Sequence, residues 1–358
     1  MHPPGAPVSA SSDRCAIIGA GAPAIVYAGD VTLPGLVATV RQRRADALLS
    51  VMVLIWGLHF IVAKDAIAAI EPLTYNALRF LVGLPAVLLF ASRQKGALHL
   101  SRHDLVLVTV LTLTGPVLYQ IGFVLGLKRT TSTNTALLLA TLPTWTALFS
   151  IALGMVEIRW RLLAGVALTL VGVTLVVLSQ AEDGLALSHD DLVGSGLVLG
   201  AAVAGGLANV LAKPVVDRVG GLPLGIWKYI LTTLTLSLLA GPKLLTLSAE
   251  QVPAANIPNI LYSGMLAGAG GFLVTHLAIR EIGPTRSSSY FNFNPIVAAL
   301  AGVLILHEPF SGWLLLGGAL TVLGVMVVNH NTYLRRPVPD AEPLPRAPAV
   351  SPVRESTR

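Results

Sequence analysis

Long apolar runs alternate with short polar breaks along most of the chain. Each run is close to the roughly 20 apolar residues that a helix needs to cross the hydrocarbon core of a membrane. Each break carries Gly, Pro or charge, as in Glu71-Pro72 and Gly220-Gly221. The pattern predicts ten transmembrane helices, near residues 47–64, 72–91, 105–126, 132–155, 161–179, 192–212, 222–240, 257–278, 285–306 and 311–329.

The composition agrees with this pattern. The 358 residues are 54% hydrophobic and only 12% charged, whereas ordinary soluble domains are roughly 25% charged. We therefore predict an all-α integral membrane protein with many spans. The formal net charge is +6, but the basic residues lie singly between apolar runs instead of on one face. This distribution argues against nucleic acid as a partner and for a bias between loops.

The two ends of the chain differ from the middle. Residues 1–46 are rich in Pro, Gly, Ala and Ser, and the apolar patch at 15–28 is too short and broken for a span. A signal peptide is the alternative, but the cluster of Arg41, Arg43 and Arg44 is typical of a cytoplasmic anchor for the next helix. We predict a flexible cytoplasmic tail over 1–46 and a disordered cytoplasmic tail over 331–358.

Lysine and arginine are unevenly divided between alternate loops, and cytoplasmic loops usually hold the excess. One set of loops contains Arg41, Arg43, Arg44, Arg159 and Arg161 among many others, whereas the opposite set contains few. This asymmetry predicts that both termini are cytoplasmic in a multi-pass protein of the cell membrane.

The chain contains an internal repeat. With Pro295 aligned to Pro143, Arg280 falls on Lys128, and the glycine-rich segment 317–325 falls on 165–173. At the front of each half, Gly57-Leu58 and Ala63-Lys64 match Gly206-Leu207 and Ala212-Lys213. Chance or helix packing explains isolated matches of this kind, but a block this long indicates duplication.

The repeat has a geometric consequence. If the halves are residues 47–180 and 190–330, each contains an odd number of spans, so equivalent helices cross the membrane in opposite directions. We therefore predict two inverted five-helix repeats. Inverted repeats are common in secondary transporters, which hold the solute near the midplane between their halves.

Several short motifs follow one another in a fixed order between residues 47 and 330. They are Trp56-Gly57-x-x-Phe60, Pro72 followed by Arg79-Phe80, the segment from Leu127 to Leu137, Pro143, the break at Glu157, and the closing GPTRSSSYFNFNPIVAALAGVLILHEPFSGWLLLGGALTVLGV. In this order they resemble the EamA-like branch of the drug/metabolite transporter superfamily. The second half departs from the pattern where Gly205-Gly206 replaces Trp-Gly and Ile230 replaces the arginine.

The resemblance implies two inverted five-helix repeats and alternating-access movement of small metabolites or drugs, often as export. It also implies a central cavity lined by helices 1–4 and 6–9, with the fifth and tenth helices at the periphery. On this resemblance Trp56 is assigned to the cavity.

Titratable side chains at bilayer depth are candidates for function because they are costly to bury. Arg79 lies about two turns inside the second helix and could bind an anion; snorkelling to the surface is the alternative. Lys228 lies inside the seventh helix but nearer the interface. His59 lies in the middle of the first helix, where it either exchanges a proton or packs between helices.

Neutral polar side chains form a second group of candidates, and packing through interhelical hydrogen bonds is the alternative for each. They are Tyr119, Gln120, Asn134, Asn209, Tyr290 and Asn294. Helical spacing places Tyr290 and Asn294 on one face and turns Asn292 away from it.

No Asp or Glu lies in the middle of any predicted span. Small multidrug exporters couple protons through a buried glutamate in the first helix, and this chain has none there. Intramembrane cations without acidic partners favour an anionic, carboxylate-like solute over a drug cation. Coupling to protons or to another ion is left open.

No motif for an enzyme, a metal or a cofactor occurs: there is no phosphate loop, no His-Glu-x-x-His and no cysteine pair, since Cys15 is the single cysteine. The sequence therefore predicts a non-enzymatic transporter, without cofactor or bound metal, that moves a small metabolite or drug-like solute, amino-acid-like or carboxylate-like, by alternating access and in the direction of export. A membrane scaffold or lipid-handling protein is the alternative. It would have the same hydropathy but a dry interface between its halves.

Overall fold

The computed structural model describes residues 33–94, 96–179, 188–248, 250–309 and 311–333. The predicted tails lie largely outside these ranges. Residues 33–40 belong to an amino-terminal unit of their own and are helical. The following paragraphs concern the second unit, which begins at Arg41.

Ten helical stretches in the described residues are long and apolar enough to cross a membrane. They confirm the predicted all-α fold. We number them spans 1 to 10 in chain order: Arg41–Ala69, Pro72–Ser92, Arg102–Arg129, Ser132–Ala152, Trp160–Leu178, His189–Val219, Gly221–Gly241, Ala254–Ile282, Arg286–Ile305 and Gly312–His330. Span 1 is part of a helix over Leu33–Ala69, span 7 of one over Gly221–Leu245, and span 10 of one over Gly312–Tyr333.

Spans 4 and 9 break at equivalent places. Span 4 consists of helices Ser132–Leu139 and Leu142–Ala152, and span 9 consists of helices Pro284–Phe291 and Asn294–Ile305. Each second helix carries a proline, Pro143 or Pro295, at its first turn. Proline has no amide hydrogen and disfavours a helical conformation in the residue before it, so both breaks follow from the aligned prolines.

Spans 3 and 8 are interrupted by wider helical turns. Span 3 contains helices Arg102–Thr112 and Leu118–Arg129 with a π-helical segment, Leu113–Val117, between them. Span 8 begins with a 3₁₀ turn at Ala254–Asn256 and helix Ile257–Leu261, continues as a π-helical segment over Tyr262–Gly270 and ends as helix Gly271–Ile282. Such bulges re-aim side chains and are frequent at functional sites.

Spans 5 and 10 cross at a contact that maps onto itself under the repeat. A Cβ atom on Gly172 would overlap the backbone nitrogen of Thr321, and one on Gly324 would overlap the backbone nitrogen of Thr169. The alignment pairs Gly172 with Gly324 and Thr169 with Thr321. The crossing is therefore symmetric, as expected at the axis that relates two inverted halves.

Span 1 packs on span 9 in the way that span 6 packs on span 4. A Cβ atom on Gly57 would meet the side chain of Val297, and one on Gly206 would meet Trp145. Under the repeat Gly57 corresponds to Gly206, and Val297 corresponds to Trp145. The first helix of each half therefore packs against the fourth helix of the other half. The predicted inverted repeat is confirmed.

Polar contacts obey the same relation. The Arg286 side chain pairs with the Asp46 carboxylate at 2.6 Å, which joins spans 9 and 1. The amide of Asn134 donates to the Ser195 hydroxyl at 2.9 Å, which joins spans 4 and 6. Asp46 corresponds to Ser195 and Arg286 to Asn134 under the repeat.

Candidate functional site

A cavity of about 750 Å³ lies between the two halves. Spans 1–4 and 6–9 contribute side chains to its wall, as the resemblance implies. Span 10 also contributes, through Val322, Val325 and Asn329. The expectation that span 10 is peripheral is therefore wrong, because the face beside its crossing with span 5 turns these residues towards the cavity.

Arg79 is fixed at one side of the cavity by three side chains. Its Nε donates to the Asn76 oxygen at 2.8 Å, one terminal nitrogen bonds His59 Nε2 at 2.9 Å, and the other donates to the Gln120 oxygen. The residue is only 7% exposed. Three partners on separate helices hold the guanidinium in one orientation, which pre-organises it for a ligand.

Aromatic rings surround the same guanidinium. Its central carbon lies 5.2 Å from the ring centre of Phe80, 5.5 Å from Phe123 and 5.8 Å from Tyr75. Contacts of this kind stabilise a buried cation without neutralising it. The charge of Arg79 therefore remains available to an anion that enters the cavity.

The described residues that line the cavity include two cations, Arg79 and Lys228, and no aspartate or glutamate. In the described part of the chain, Lys228 has neither an ion pair nor a hydrogen-bonding partner. Two cations with no carboxylate among these residues create a positive potential that favours an anionic ligand.

The rest of the wall is largely apolar and aromatic. Trp56 donates its indole N–H to the carbonyl of Ala267 at 2.8 Å and meets Phe291 edge-on at 5.1 Å between ring centres. Phe80 lies against Tyr229 at 5.1 Å. A pocket that combines a few fixed polar groups with apolar walls is typical of a site for a small organic molecule.

The structure brings most of the predicted site residues together. Those that line the cavity are Trp56, His59, Arg79, Tyr119, Gln120, Asn209, Lys228 and Asn294. Asn294 also carries a buried amide oxygen that has no hydrogen-bond partner among the described residues.

Two predicted residues lie outside the cavity. Asn134 is fully buried at the contact of spans 4 and 6, where its amide also donates to the Thr130 hydroxyl at 2.8 Å. Tyr290 donates its hydroxyl to Asp46 at 2.9 Å. Both side chains join helices of opposite halves, and in this structure neither contacts the cavity.

Asn292 lines the cavity, so the prediction that it turns away is wrong. That prediction assumed an unbroken helix through residues 290–294. The break before Pro295 changes the direction of the chain and places Asn292 beside Asn294.

Some lining or supporting residues were not predicted. Asn76 lies one turn before Arg79 and holds its Nε, and the i, i+3 spacing of the two was a visible signal. Tyr229 lies next to Lys228 and lines the cavity. Thr232 and Ser263 also line it, but small hydroxyl residues in apolar helices carry no signal that separates lining from packing.

The model of the EamA-like transporter family matches residues 43–178 and 192–330. The chain is 26% identical over 292 residues to an uncharacterized transporter of Archaeoglobus fulgidus, which covers 80% of this chain and 98% of that protein. It is 26% identical over 298 residues to a probable amino-acid metabolite efflux pump of Escherichia coli, covering 80% and 95%.

Two further matches extend the comparison. A probable terminal-alkyne amino-acid exporter of Streptantibioticus cattleyicolor is 26% identical over 233 residues, covering 65% of this chain and 76% of that protein. A solved crystal structure superposes with a TM-score of 0.56 at 21% identity and covers 80% of this chain and 96% of its own, which supports the fold. These relatives are named as transporters and not as enzymes. Since the family model matches both halves, the chain belongs to the EamA-like transporter family.

Proposed function

We propose that this transporter exports a small organic solute that carries a carboxylate, by alternating access of the cavity to the two sides of the membrane. The single observation that carries the proposal is Arg79, a buried and oriented cation that faces a cavity whose described lining residues include no aspartate or glutamate. A cavity of about 750 Å³ between inverted halves also favours transport over the alternative of a scaffold with a dry interface.

The geometry of Arg79 suits a carboxylate. A guanidinium has five N–H donors, and three of its hydrogen bonds go to Asn76, His59 and Gln120. The remaining donors can bond one carboxylate in the paired geometry that arginine favours. Bringing an anion to a buried cation also relieves the cost of leaving that cation without a counter-charge.

Other groups favour an amino acid or a close derivative. The side-chain amides of Asn209 and Asn294 line the cavity, and an amide oxygen can accept a hydrogen bond from an ammonium group. The rings of Trp56, Phe123 and Tyr229 offer apolar surface to the remainder of the solute. The names of the Escherichia coli and Streptantibioticus cattleyicolor relatives support the same class of solute.

The experiment has two stages. Metabolites that accumulate in cells lacking the protein are compared with those of cells that contain it, and the strongest candidates are tested for uptake into proteoliposomes at several pH values. Phenylalanine, its amide and phenethylamine form a fixed probe set, because they differ in the carboxylate and amino groups. We expect transport of phenylalanine or of a carboxylate from the screen, and none of phenethylamine.

A variant series tests the role of the cation. Arg79→Gln should reduce the initial rate for the carboxylate at least tenfold, since a charge-assisted hydrogen bond is worth about 1.5–3 kcal/mol. Arg79→Lys should retain part of the rate. Arg102→Gln removes an exposed arginine and should change little. Equal rates for wild type and Arg79→Gln, or preference for phenethylamine, would overturn the proposal.

A further inference from the structure

Spans 1 and 3 are tied together at one end of the molecule. The ammonium of Lys64 donates to the carbonyls of Leu127 and Thr130 at 2.8 and 2.6 Å. The ammonium of Lys128 donates to the carbonyl of Ile67 at 2.6 Å. Each lysine thus occupies carbonyls near the carboxyl end of the neighbouring helix, where a cation is stabilised by the helix dipole.

Glu308 completes this end by binding the start of span 4. Its two oxygens accept from the backbone N–H groups of Ser132 and Thr133 at 2.7 and 3.0 Å, and from both hydroxyls at 2.6 Å. Four donors on one carboxylate at a helix start form a strong anion contact. We call Lys64, Lys128 and Glu308 the tied trio.

The loop that presents Glu308 has an unusual backbone. His307 has a φ of 51°, a conformation that residues other than glycine rarely adopt. The amide of Glu308 bonds the carbonyl of Gly302 at 3.1 Å, and a Cβ atom on Gly302 would overlap the carboxylate. The loop between spans 9 and 10 is thus held against span 4 in a strained form, which the contact with Glu308 must stabilise.

The repeat places a counterpart of this trio at the other end of the molecule: Lys213, Arg280 and Glu157. We call these residues the untied trio, because all of them are exposed. The Glu157 carboxylate is 87% exposed and lies 3.7 Å from Arg159 of its own loop. The packing differs as well, since Leu127 is fully buried at the tied end and its counterpart Ile279 is 39% exposed.

Other contacts between the two halves are the same at both ends. The crossings of spans 1 with 9 and 6 with 4 are equivalent in the same structure, as are the contacts of Asp46 with Arg286 and of Ser195 with Asn134. Helix pairs that stay equivalent can move as units. Contacts that exist at only one end are the ones that an exchange between two states would make and break.

We propose that the untied trio is a gate that forms contacts equivalent to those of the tied trio when the cavity closes at its own end, except that Pro284 replaces Ser132 and offers Glu157 no N–H or hydroxyl. In that state Glu157 binds the start of helix Pro284–Phe291, Lys213 donates to the carbonyl of Ile279, and Arg280 donates to the carbonyl of Val216. The tied trio separates in the same transition. The inference rests on the alternating access of the proposed function and adds the residues that hold each state.

The test measures the conformation directly and needs no solute. With Cys15 replaced by serine, single cysteines are introduced by Leu127→Cys at the tied end and by Ile279→Cys at the untied end. The rate of labelling by a water-soluble maleimide is followed in membranes that contain the full chain. A cysteine labels faster when its end of the cavity is open.

Glu308→Gln and Glu157→Gln should shift the two labelling rates in opposite directions. In Glu308→Gln we expect at least threefold faster labelling at position 127 and slower labelling at 279. In Glu157→Gln we expect at least threefold slower labelling at 127 and a smaller increase at 279, because that end is already untied in the form seen here. The matched controls Glu250→Gln and Asp217→Asn remove exposed carboxylates and should leave both rates unchanged.

Shifts in the same direction for both variants, or unchanged rates in Glu157→Gln, would overturn the gate. If Glu308→Gln fails to fold, Ser132→Ala removes one of its donors and should give a smaller shift of the same sign. If transport of every probe fails while the opposite shifts are seen, the proposed solute is wrong and the gate stands.

Discussion

His59 accepts a hydrogen bond from Arg79 at Nε2, at 2.9 Å. Since arginine can only donate, the imidazole is neutral and carries its proton on Nδ1. The ring is also stacked on Phe123, with 5.9 Å between ring centres. His59 is therefore a support that orients the guanidinium in the cavity, and this role differs from that of a group which binds the solute itself.

Replacing this acceptor should weaken binding of the anion. In His59→Leu one N–H of Arg79 loses its partner, and we expect the Kd for a transported carboxylate to rise about three- to tenfold, which corresponds to about 1 kcal/mol. His59→Gln keeps a side-chain acceptor and should bind more tightly than His59→Leu. Calorimetric titration of the purified protein measures both. Equal affinities for the leucine and glutamine variants would contradict a supporting role for the histidine.

Glu71 should make the stability depend on acid pH. It precedes the first turn of span 2 and accepts from the backbone and hydroxyl of Thr74, both at 2.8 Å, and Lys243 lies 3.5 Å away. Burial raises the pKa of Glu71, but the two hydrogen bonds from Thr74 and the charge of Lys243 outweigh it, so the pKa is lowered from 4.5.

A carboxyl with a lowered pKa in the folded state contributes stability at pH values above its unfolded pKa and loses that contribution as the pH falls through the folded value. Glu71→Gln should therefore have a lower melting temperature than wild type at pH 7. The weakened cap should lower the free energy of unfolding by about 1 kcal/mol. The difference should shrink once the pH falls below 4.5. Melting curves of both proteins from pH 7 to pH 4 test this, and a constant difference would contradict it.

The crossing of spans 5 and 10 should tolerate no side chain. Gly172→Ala and Gly324→Ala each place a Cβ atom against the backbone of the other span, and overpacking of this kind costs about 1–3 kcal/mol. Because the two positions are equivalent, the losses in melting temperature should be similar. Gly200→Ala adds a Cβ atom in open space and should not destabilise. One harmful and one harmless variant at the crossing would contradict its symmetry.

The contacts of Asp46 and Asn134 are equivalent under the repeat but should differ in strength. Asn134 makes two buried hydrogen bonds, so Asn134→Ala should cost about 2 kcal/mol. The pair of Asp46 and Arg286 is partly exposed, and such pairs contribute about 0–1 kcal/mol. Asp46→Ala should therefore lower the melting temperature less than Asn134→Ala, and the reverse order would contradict this ranking.

The spans could be predicted because bilayer thickness sets the length of an apolar run, and the aligned prolines indicated where spans 4 and 9 break. The ends of the helices were less predictable. Span 6 extends over His189–Val219, whereas the sequence indicated 192–212, because backbone hydrogen bonds continue a helix beyond the hydrocarbon without apolar side chains.

The cavity was only partly predictable. Arg79, Lys228 and His59 could be identified because charged or titratable groups are rare at bilayer depth. The sequence could not separate the amide side chains that line the cavity from those that join helices. An asparagine that joins two helices, such as Asn134, looks the same in sequence as one that lines a cavity, such as Asn294. That choice depends on the path of the backbone, and at Asn292 the proline-induced break decided it.

The two ends of the molecule do not offer the same hydrogen-bond donors to their glutamates. Ser132 supplies an amide hydrogen and a hydroxyl to Glu308, whereas its counterpart is Pro284, which has neither. We therefore expect the solute-free protein to populate the form seen here more than the form closed at the untied end. Each 1.4 kcal/mol of free-energy difference between the two forms changes their population ratio tenfold. The loop charges predict that the untied end faces the cytoplasm, so this form would open its binding site to the side from which the proposed export begins.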